Sequence, residues 1–344
     1  MPYYYPIKSI RDQTDRQQLI DKLLLLRRQM DAQIPQKTEA DTMLLATWNI
    51  REFGNNRTTE SSYYIAEILS RFDLVAVQEV SSNLKGLQKV LSLMGPQYSY
   101  IVTDSTDGSA GGGERMAFVY DTAKITFKNE VGELVLPKEK LITESLQFAR
   151  TPFVVAFKAK WFTFKLATVH IYYGTSSSVD SRRLAEIDTV AAYLAKRSKK
   201  EDESYILLGD FNIFKTGDAT LKALEKNGFH IPEAIKHHPT DLGQTKHYDQ
   251  IAFHCMLDPE MVVFSEGKQR SGAFNFTESV YTAEDMPLYR KHFPAKVVQG
   301  KNEQEIQKYY MSTWRTFQMS DHLPLWAELK IDFSNEYLES LKPK

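Results

Sequence analysis

Eight short apolar runs between residues 42 and 331 most strongly constrain what this chain can fold into. They are rich in valine, isoleucine, phenylalanine, tyrosine and tryptophan, as β-strands are, and several are nearly continuous, as expected for strands covered on both faces. The runs are MLLATWNI, DLVAVQEV, MAFVYD, PFVVAFKA, FTFKLATVHI, YILLGDFN, YDQIAF and LPLWAELKI. Helical patterns lie between them, so the sequence predicts an α/β protein with two sheets packed as a sandwich and flanked by helices.

The segments between these runs carry the period of helices. The predicted helices cover residues 63–69, 84–93, 182–194 and 219–226. Asp218 is an N-cap candidate for the last of them. A further helix is predicted over residues 8–32, and Pro35 is expected to end it. Its apolar stripe comprises Ile10, Leu19, Ile20, Leu23, Leu24 and Leu26. We expect this helix to pack on the main domain, with partner binding as the alternative.

The length of 344 residues suits one large domain or two modest ones. We expect an N-terminal helical extension over residues 1–40, a main domain over 41–332 and a tail over 333–344. Within the main domain, about 265–308 shows no clean period and is expected to be an insertion or long loop with short helices. The glycine-rich stretch 104–114 is the second segment predicted to be loose.

Charge and cysteine usage exclude several classes of protein. The net charge of −1 gives no overall attraction to nucleic acid or anionic membranes, so a polyanion site would need a local basic patch. One cysteine, Cys255, rules out an internal disulfide framework and is expected to be a small core residue. The N-terminus lacks the apolar core of a secretory signal, and no stretch has the apolar length of a bilayer span. We therefore expect a cytoplasmic protein without stable membrane insertion.

Six of the predicted strands carry a polar residue at one end. In YILLGDFN, Asp210 and Asn212 are two residues apart and therefore share a face. The other strand-end residues are Asn49, Glu79, His170, Asp249, Asp321 and His322. Each alone has an ordinary explanation, such as a turn signal in GDFN or a satisfied core histidine at position 170. Together they favour convergence at one end of the sandwich, because charged groups are seldom buried unless they are paired or bound to metal.

This set of side chains fits the metal-assisted hydrolysis of a phosphate ester. Carboxylate and carboxamide oxygens suit Mg²⁺ or Mn²⁺, whereas zinc would prefer more nitrogen and sulfur ligands. The metal would neutralise phosphate oxygens and the leaving oxygen. A histidine held by a carboxylate would deprotonate water. Asp249 is the candidate to orient His322 and fix its tautomer.

Seven motifs, in order, carry a family resemblance over about residues 43–331: TWNIREFG, QEV, GERMAFVY, TVHI, GDFN, YDQIAF and SDHLPL. This set resembles the endonuclease/exonuclease/phosphatase family and is most similar to its deoxyribonuclease I-like branch. The resemblance implies a four-layered α/β sandwich, in which two mostly antiparallel sheets are flanked by helices, and makes residues 41–332 the catalytic domain. It also implies hydrolysis of a phosphodiester or phosphomonoester with Mg²⁺, for which Mn²⁺ is expected to substitute.

The resemblance further implies roles for the residues that would hold metal and phosphate. Glu79 and Asp321 would hold the metal, and Asn49 would support the metal or the phosphate. Asp210 and Asn212 would contact the scissile phosphate, the attacking water or a second metal ion.

It also implies which residues transfer protons. His322, oriented by Asp249, would be the general base, and His170 would be the general acid that protonates the leaving oxygen. Glu114 stands where this branch has a carboxylate paired with that histidine. Arg150 stands where it has a phosphate-contacting arginine, with a surface salt bridge as the alternative for Arg150.

The substrate is less well specified. The stretches SAGGG before Glu114 and SSNLKG after QEV lack the tyrosine and arginines that pancreatic-type enzymes insert into the minor groove. DNA, held through its phosphates, is the favoured substrate. The candidate phosphate contacts are Arg51, Arg57, Arg115, Arg150, Lys246, Lys268 and Arg270.

Two alternatives to DNA cleavage remain. The first is a phosphodiesterase or phosphatase acting on a lipid-borne or small phosphate ester, for which Tyr172, Tyr173 and Phe274 would form an aromatic rim. The second is a non-catalytic binding module that kept the fold. It is disfavoured because none of the motif positions named above is broken.

Overall fold

The computed structural model describes residues 2–54, 56–106, 112–142, 146–177, 180–254, 263–265 and 268–342, with 264–265 and 268–269 described by their backbone alone. Two predicted features lie outside the described residues, namely Cys255 and the centre of the glycine-rich stretch, residues 107–111. None of the described helices is long and apolar enough to cross a bilayer.

Two β-sheets form the centre of the fold. The strands are β1 Thr42–Phe53, β2 Leu74–Val80, β3 Tyr98–Val102, β4 Arg115–Asp121, β5 Ile125–Glu133, β6 Phe153–Ala159, β7 Phe162–His170, β8 Ser204–Asp210, β9 Asp249–His254, β10 Phe264–Ser265, β11 Lys268–Gln269, β12 Ser271–Ala273 and β13 Leu325–Lys330. The first sheet has the order β12–β13–β1–β2–β4–β3 and the second β5–β6–β7–β8–β9, while β10 and β11 pair separately. The pairs β1–β2 and β7–β8 are parallel, and the other paired neighbours are antiparallel.

Helices cover the outer faces of the sheets. They are α1 Gln13–Gln33, α2 Thr59–Ser70, α3 Lys85–Met94, α4 Ser181–Glu201, α5 Ala219–Lys226, α6 Glu233–Lys236, α7 Met286–Tyr289, α8 Ala295–Val298, α9 Glu303–Tyr309, α10 Arg315–Gln318 and α11 Ser334–Ser340. Short 3₁₀ turns cover Tyr5–Ser9, Lys138–Lys140, Phe276–Glu278, Ala283–Asp285 and Arg290–His292, and a π-helical turn covers Tyr310–Trp314. The predicted four-layered sandwich of mostly antiparallel sheets flanked by helices is therefore confirmed.

Side-chain alternation along β1 decides which of its residues face the second sheet. Met43 and Leu45 pack in the core between the sheets. Leu44 and Ala46 pack in a second core beneath α1, α2 and α3. Because side chains alternate along a strand, Asn49 shares the face of Met43 and Leu45. The strand thus delivers this carboxamide to the space between the two sheets.

The two parallel pairs pack against each other across the sandwich, and a buried polar contact joins them. Gln78 of β2 donates through Nε2 to Thr168 Oγ1 of β7 at 2.9 Å and to Thr47 Oγ1 of β1 at 3.1 Å. The carboxyl ends of these parallel strands meet at one edge of the molecule. That edge carries Asn49, Glu79, His170 and Asp210 at the ends of β1, β2, β7 and β8.

The N-terminal helix packs on the main domain, as expected. α1 starts after Asp12, whose side chain accepts the N–H of Asp15 at 2.9 Å, and ends before Pro35. Its buried residues are Leu19, Leu23, Leu26 and Met30, which pack in the second core. The predicted stripe is wrong at Leu24, which is 48% exposed. A rotation of about 100° per residue carries Leu24 away from the face that Leu23 and Leu26 share.

The segment predicted as an insertion contains the expected short helices, and its aromatic residues are buried. Tyr289 packs against Tyr281 and Trp314, with ring centroids 4.8 and 5.0 Å away. Side chains of α1 reach the same segment, for example Lys22 to Asp285 at 2.7 Å. Phe274, only 1% exposed, packs in the second core, so its proposed place in an aromatic rim is wrong. The boundaries of extension, insertion and tail stay predictions.

Helices were expected between the strands, and the structure has them. α2 and α4 extend beyond the predicted limits, α3 is shifted by one residue toward the C-terminus, and α5 has the predicted limits. Asp218 occupies the N-cap position of α5, but its carboxylate accepts the N–H of Lys215 at 3.1 Å rather than an amide of the helix.

Candidate active site

Two histidines at the polar edge each place one ring nitrogen against a carboxylate. His322 Nδ1 is 2.8 Å from Asp249 Oδ2, and His170 Nδ1 is 3.1 Å from Glu114 Oε2. The Nε2 atoms of both rings face the same oxygen, Asp210 Oδ2, at 3.8 Å from His322 and 3.5 Å from His170. Two histidine–carboxylate pairs therefore converge on one buried carboxylate.

Strand register brings three of these residues together. In the second sheet, Asp210 is aligned with His170 on one side and with Asp249 on the other. Gly209, just before Asp210, has a φ of +136°, and a Cβ there would lie 2.1 Å from the carbonyl oxygen of Val169. Only glycine permits this close approach, so the glycine of GDFN is required for the alignment of His170 with Asp210.

The loop before β13 holds His322 through its backbone. Its N–H donates to Ser320 Oγ at 3.0 Å, and its carbonyl oxygen accepts from Trp48 Nε1 at 2.9 Å. Ser320 Oγ in turn donates to the carbonyl oxygen of Asn49 at 2.6 Å. These bonds to the first sheet hold His322 where its ring contacts Asp249 of the second sheet.

Asn49 links the acidic residues of the two sheets. Its Nδ2 donates to Glu79 Oε1 and to Asp210 Oδ2, both at 3.0 Å. On the other side of Asp210, the N–H of Asn212 donates to Oδ1 at 2.8 Å, while Asn212 Nδ2 donates to the carbonyl oxygen of Ile171 at 2.8 Å. Four of the strand-end residues, Asn49, Glu79, Asp210 and Asn212, thus form one hydrogen-bonded group.

The backbone at Glu79 is unusual, and a bulge explains its direction. The pairing of β2 with β4 shifts register between Val77 and Val80, as at a β-bulge. Glu79 lies within this shift and has a φ of +59°. A left-handed conformation costs a residue other than glycine on the order of 1–2 kcal/mol, and such strain and bulges concentrate at functional sites. The bulge directs the Glu79 carboxylate to Asn49.

Arg150 forms a bidentate ion pair with the carboxylate that holds His170. Its Nε is 2.7 Å from Glu114 Oε2 and its Nη2 is 3.1 Å from Oε1. Burial raises the pKa of Glu114, but the neighbouring His170 and the bidentate ion pair with Arg150 outweigh burial and hold that pKa at about 2. Glu114 is therefore a carboxylate over the whole physiological pH range.

The His322–Asp249 pair is buried, with 8% of His322 and none of Asp249 exposed. Burial lowers the pKa of His322, but the charges of Asp249 and Asp210 and the hydrogen bond to Asp249 outweigh it and raise that pKa well above its ordinary value. Burial raises the pKa of Asp249, against the attraction of His322. The pair therefore stabilises a proton on the imidazole, which is the state that follows abstraction of a proton from water.

Oxygen donors suited to a divalent cation surround Glu79. One ligand atom each from Glu79, Glu114 and His170 lie within 4.8 Å of one another. Asn49 Oδ1 is buried without a hydrogen-bond partner among the described residues. Carboxylate and carboxamide oxygens are what hard cations prefer, so these residues fit such an ion. Asp321 is 47% exposed and lies 3.7 Å from Arg51, and it stays a predicted ligand.

Three residues of the site were not foreseen from the sequence. The ring of Tyr248 stacks on that of His322 with centroids 5.2 Å apart, and Thr240 Oγ1 accepts the N–H of Asp249 at 3.0 Å. Ser320, described above, is the third. Tyr248 and Ser320 are the first residues of the YDQ and SDH motifs, which was a usable signal. Nothing in the local sequence marks Thr240.

Most of the basic residues predicted to contact phosphate have partners within the fold. Arg57 donates to the carbonyl oxygens of Glu52 at 2.9 Å and Gln318 at 3.1 Å, and burial lowers its pKa to about 10. Arg115 donates to the carbonyl oxygen of Thr103 at 2.7 Å. Further partnered residues are Arg51 with Thr316, Lys246 with Tyr248 and Arg270 with Glu328. The side chain of Lys268 lies outside the described part of the chain.

Comparison with known proteins identifies the family of this chain. The family model described as Endonuclease/Exonuclease/phosphatase family matches residues 46–282.

The chain belongs to the endonuclease/exonuclease/phosphatase family.

Among curated proteins, Deoxyribonuclease-1 of Equus caballus is 29% identical over 181 residues, which are 50% of this chain and 61% of that protein. Deoxyribonuclease-1 of Canis lupus familiaris is 30% identical over 179 residues, 49% of this chain and 59% of that protein. The match thus spans about 60% of the length of these relatives. The family resemblance predicted from the motifs is confirmed.

Solved structures share the fold at low identity. A family protein from Bacteroides thetaiotaomicron superposes with a TM-score of 0.55 at 18% identity, covering 85% of this chain and 96% of that one. A mannosyl-6-phosphatase of the same organism gives 0.54 at 18%, covering 83% and 99%. D. rerio TDP2 complexed with single strand DNA product gives 0.53 at 12%, covering 83% and 98%. These likenesses support the sandwich architecture.

Proposed function

We propose that this protein is a divalent-metal-dependent phosphodiesterase that cleaves DNA endonucleolytically. The observation that carries the proposal is the convergence of two histidine–carboxylate pairs on Asp210. Hydrolysis of a phosphodiester requires a base for the attacking water and an acid for the leaving oxygen. Two imidazoles that face one point supply both. Similarity to the proteins named Deoxyribonuclease-1 supports DNA as the substrate.

In this proposal the two histidines have opposite roles. Asp249 accepts the Nδ1–H of His322, so that Nε2 of His322 takes the proton of the attacking water. Glu114 holds Nδ1 of His170, so that Nε2 of a protonated His170 gives its proton to the leaving oxygen. Arg150, fixed by Glu114, is proposed to contact a phosphate oxygen.

The cation is proposed to be Mg²⁺, with Mn²⁺ able to substitute. Glu79 and Asn49 would hold it, and Asp210, Asn212 and Asp321 are the further proposed ligands or phosphate contacts. When bound, the ion neutralises charge on the phosphate oxygens and the leaving oxygen. The buried, unpartnered Asn49 Oδ1 supports an oxygen-binding ion at this place.

The test is nicking of supercoiled plasmid by purified protein with Mg²⁺ or Mn²⁺. EDTA is expected to abolish nicking, and His322→Ala is expected to lower the rate by about 10³-fold or more, because general base and charge stabilisation are lost together. His237→Ala is the matched control, since that histidine is 67% exposed. It should nick as fast as the wild type. Equal nicking by His322→Ala and the wild type would overturn the assignment.

A phosphatase or phosphodiesterase acting on a small or lipid-borne phosphate ester is the second candidate. It is favoured by the engagement of Arg57, Arg115 and Arg270 within the fold, which leaves fewer cations for a long polyanion. Tyr173, 42% exposed, could contact an apolar group. Hydrolysis of small esters that depends on His322, in a protein that does not nick plasmid, would select this candidate over DNA.

A further inference from the structure

One buried carboxylate of α4 contacts two loops of the candidate active site. Glu186 has no exposed surface. Its Oε1 accepts the N–H of Ala149 at 3.0 Å, and its Oε2 accepts the N–H of Tyr172 at 3.1 Å. Arg182, one helical turn earlier, donates from Nε to Oε1 at 3.0 Å. Every oxygen of this carboxylate is thus engaged, and two of the three donors belong to loop backbone.

These backbone groups adjoin the two residues that hold Glu114. Ala149 directly precedes Arg150, and Tyr172 is two residues beyond His170. Arg150 and His170 both contact Glu114 Oε2, at 2.7 and 3.1 Å. Glu186 therefore connects, through hydrogen bonds to their backbones, the two chain segments whose side chains contact Glu114.

Arg183, on the same turns of α4, holds the loop after His170 by its carbonyl groups. Its side chain is fully buried. It donates to the carbonyl oxygens of Thr175 at 2.8 Å and Ser177 at 3.0 Å, and also to that of Tyr173. Its guanidinium carbon lies 4.8 Å from the ring centroid of Phe214. The donors of this buried cation are thus directed at loop backbone.

Neither Glu186 nor Arg183 is needed for the packing of α4 on the domain. Ile187, Val190, Ala191 and Leu194 already give the helix a fully buried apolar face. Charged side chains are costly to bury unless every donor and acceptor is satisfied. Here the hydrogen-bond partners of both charges are the loops that carry Arg150 and His170. This indicates that the two charged side chains hold these loops in place.

We propose that Glu186 and Arg183 are positioning residues that set the distance between Arg150 and His170 around Glu114. The inference deepens the proposed function and relies on it for the activity measurement. A displacement of about 0.5–1 Å in such a constellation is enough to lower the rate strongly.

The first experiment compares Glu186→Gln with Glu328→Gln. An amide has one acceptor oxygen, so one of the two loops loses its hydrogen bond in Glu186→Gln. We expect kcat to fall about 10- to 100-fold with KM changed less than about 3-fold, because geometry rather than binding is altered. The ring signals of His170 in the ¹⁵N-histidine spectrum, assigned with His170→Ala, should shift as well.

Glu328→Gln is the matched control because Glu328 is also a buried carboxylate, 1% exposed. It accepts from Thr42 Oγ1 at 2.7 Å and pairs with Arg270 at 2.9 Å, at the end of β1 opposite Asn49. This variant should keep the wild-type kcat and the wild-type His170 signals while losing a comparable amount of thermal stability.

A double-mutant cycle separates positioning from general stability. In a His170→Ala background, Glu186→Gln should lower the residual rate by less than about 2-fold, because its target is gone. Full multiplication of the two losses would overturn the proposal.

Arg183→Lys is the second variant if Glu186→Gln does not fold. A lysine cannot donate to three carbonyl groups from the fixed fork of a guanidinium, so the same shift of the His170 signals is expected. A folded Glu186→Gln that matches Glu328→Gln in kcat and spectrum would overturn the proposal, as would loss of folding in both α4 variants. If the wild type cleaves no phosphate ester, the proposed function fails, and the His170 spectrum still decides the positioning role.

Discussion

Single residues at the polar edge have their properties set by a few neighbours. His322 lies between Asp249, Asp210 and the ring of Tyr248, which together decide its tautomer and its protonation. Among the described residues, Asp249 is the partner that forms a hydrogen bond with Nδ1 of His322. The orientation of the ring should therefore depend on the charge of Asp249 more than on its shape.

The first prediction concerns this bond. Asp249→Asn keeps the size of the side chain but can present its NH₂ group to Nδ1, which would place the ring proton on Nε2. We expect kcat to fall about 10²- to 10⁴-fold, measured on whichever phosphate ester the wild type cleaves. Asp188→Asn, on the 41% exposed Asp188 of α4, is the control and should leave kcat unchanged. An active Asp249→Asn would remove Asp249 from the proton-transfer scheme.

The second prediction concerns Glu60, at the start of α2. Burial and the neighbouring charge of Asp15 raise the pKa of Glu60 to about 7, despite Lys291. Its pKa in the unfolded chain is lower, about 4.3. Between these two pKa values the folded protein holds a proton on Glu60 that the unfolded chain has released. The free energy of unfolding therefore falls as pH rises from about 4.5 through 7. Glu60→Gln should therefore raise stability at pH 8 by about 1–2 kcal/mol, after allowance for partial solvent screening, and leave it unchanged at pH 4.5.

Melting temperatures from pH 4.5 to 8 measure this effect. Glu303→Gln provides the control, because the Glu303 side chain is 67% exposed and should not change the pH profile. A wild-type profile that parallels that of Glu60→Gln would contradict the raised pKa.

At the scale of elements, α1 shows how a helix becomes part of a domain. Its apolar face completes the second core, and its polar side chains reach the segment 274–285. Gln29 Nε2 donates to the carbonyl oxygen of Asn275 at 2.8 Å, and Lys22 pairs with Asp285 at 2.7 Å. The helix is therefore an integral layer over the first sheet, and its buried face is already occupied by its own chain.

The third prediction follows from the two sides of α1. Leu23→Ala should destabilise the protein by about 2–4 kcal/mol, since Leu23 is 4% exposed within the second core. Leu24→Ala is the matched control on the adjacent residue, 48% exposed, and should cost less than about 0.5 kcal/mol. Urea unfolding measures both. Equal costs would mean that α1 does not pack as described.

The fourth prediction concerns the polar contact between the parallel pairs. Gln78→Ala removes the partner of Thr168 and Thr47 in a fully buried place. We expect a loss of about 1–3 kcal/mol in stability because two hydroxyls lose hydrogen bonds where water is excluded. Gln88→Ala, on the exposed face of α3, should cost little. Similar melting temperatures for the two variants would show that the contact contributes nothing.

At the scale of the whole molecule, the site exists only where the two sheets meet. The first sheet supplies Asn49, Glu79 and His322, and the second supplies His170 and Asp210 together with Asp249. Cation binding should therefore stabilise the packing of one sheet on the other and not a single element. Ligands that bind the folded state raise its stability in proportion to the logarithm of their concentration.

The fifth prediction uses this linkage. Ten- to hundred-fold increases in Mg²⁺ or Mn²⁺ above its dissociation constant should raise stability by about 1.4–2.7 kcal/mol in the wild type. Glu79→Gln should abolish most of this increase, because the substituted amide removes one charged ligand oxygen. Glu52→Gln, on a side chain that is exposed, is the control. An unchanged response in Glu79→Gln would exclude Glu79 as a ligand.

The sequence by itself determined the elements and the polar ends of the strands. Periods of 2.0 and 3.6 residues and the strand-end positions of Asn49, Glu79, His170 and Asp210 are local properties of the chain, so the two-sheet sandwich and the edge that carries the site could be predicted. The pairing of His322 with Asp249 was predicted from residue types, and that of His170 with Glu114 came from the family resemblance.

Only the tertiary structure decided which side chains have which partners. Arg57 and Arg115 were candidate phosphate contacts in the sequence, yet they donate to backbone carbonyl groups of distant segments. Glu186 lies one helical turn from Arg182 and pairs with it, and it also accepts from Ala149, 37 residues earlier. Local pattern gives the face of a helix or strand on which a charge lies. The donor or acceptor that makes its burial tolerable comes from a distant part of the chain, and folding alone brings the two together.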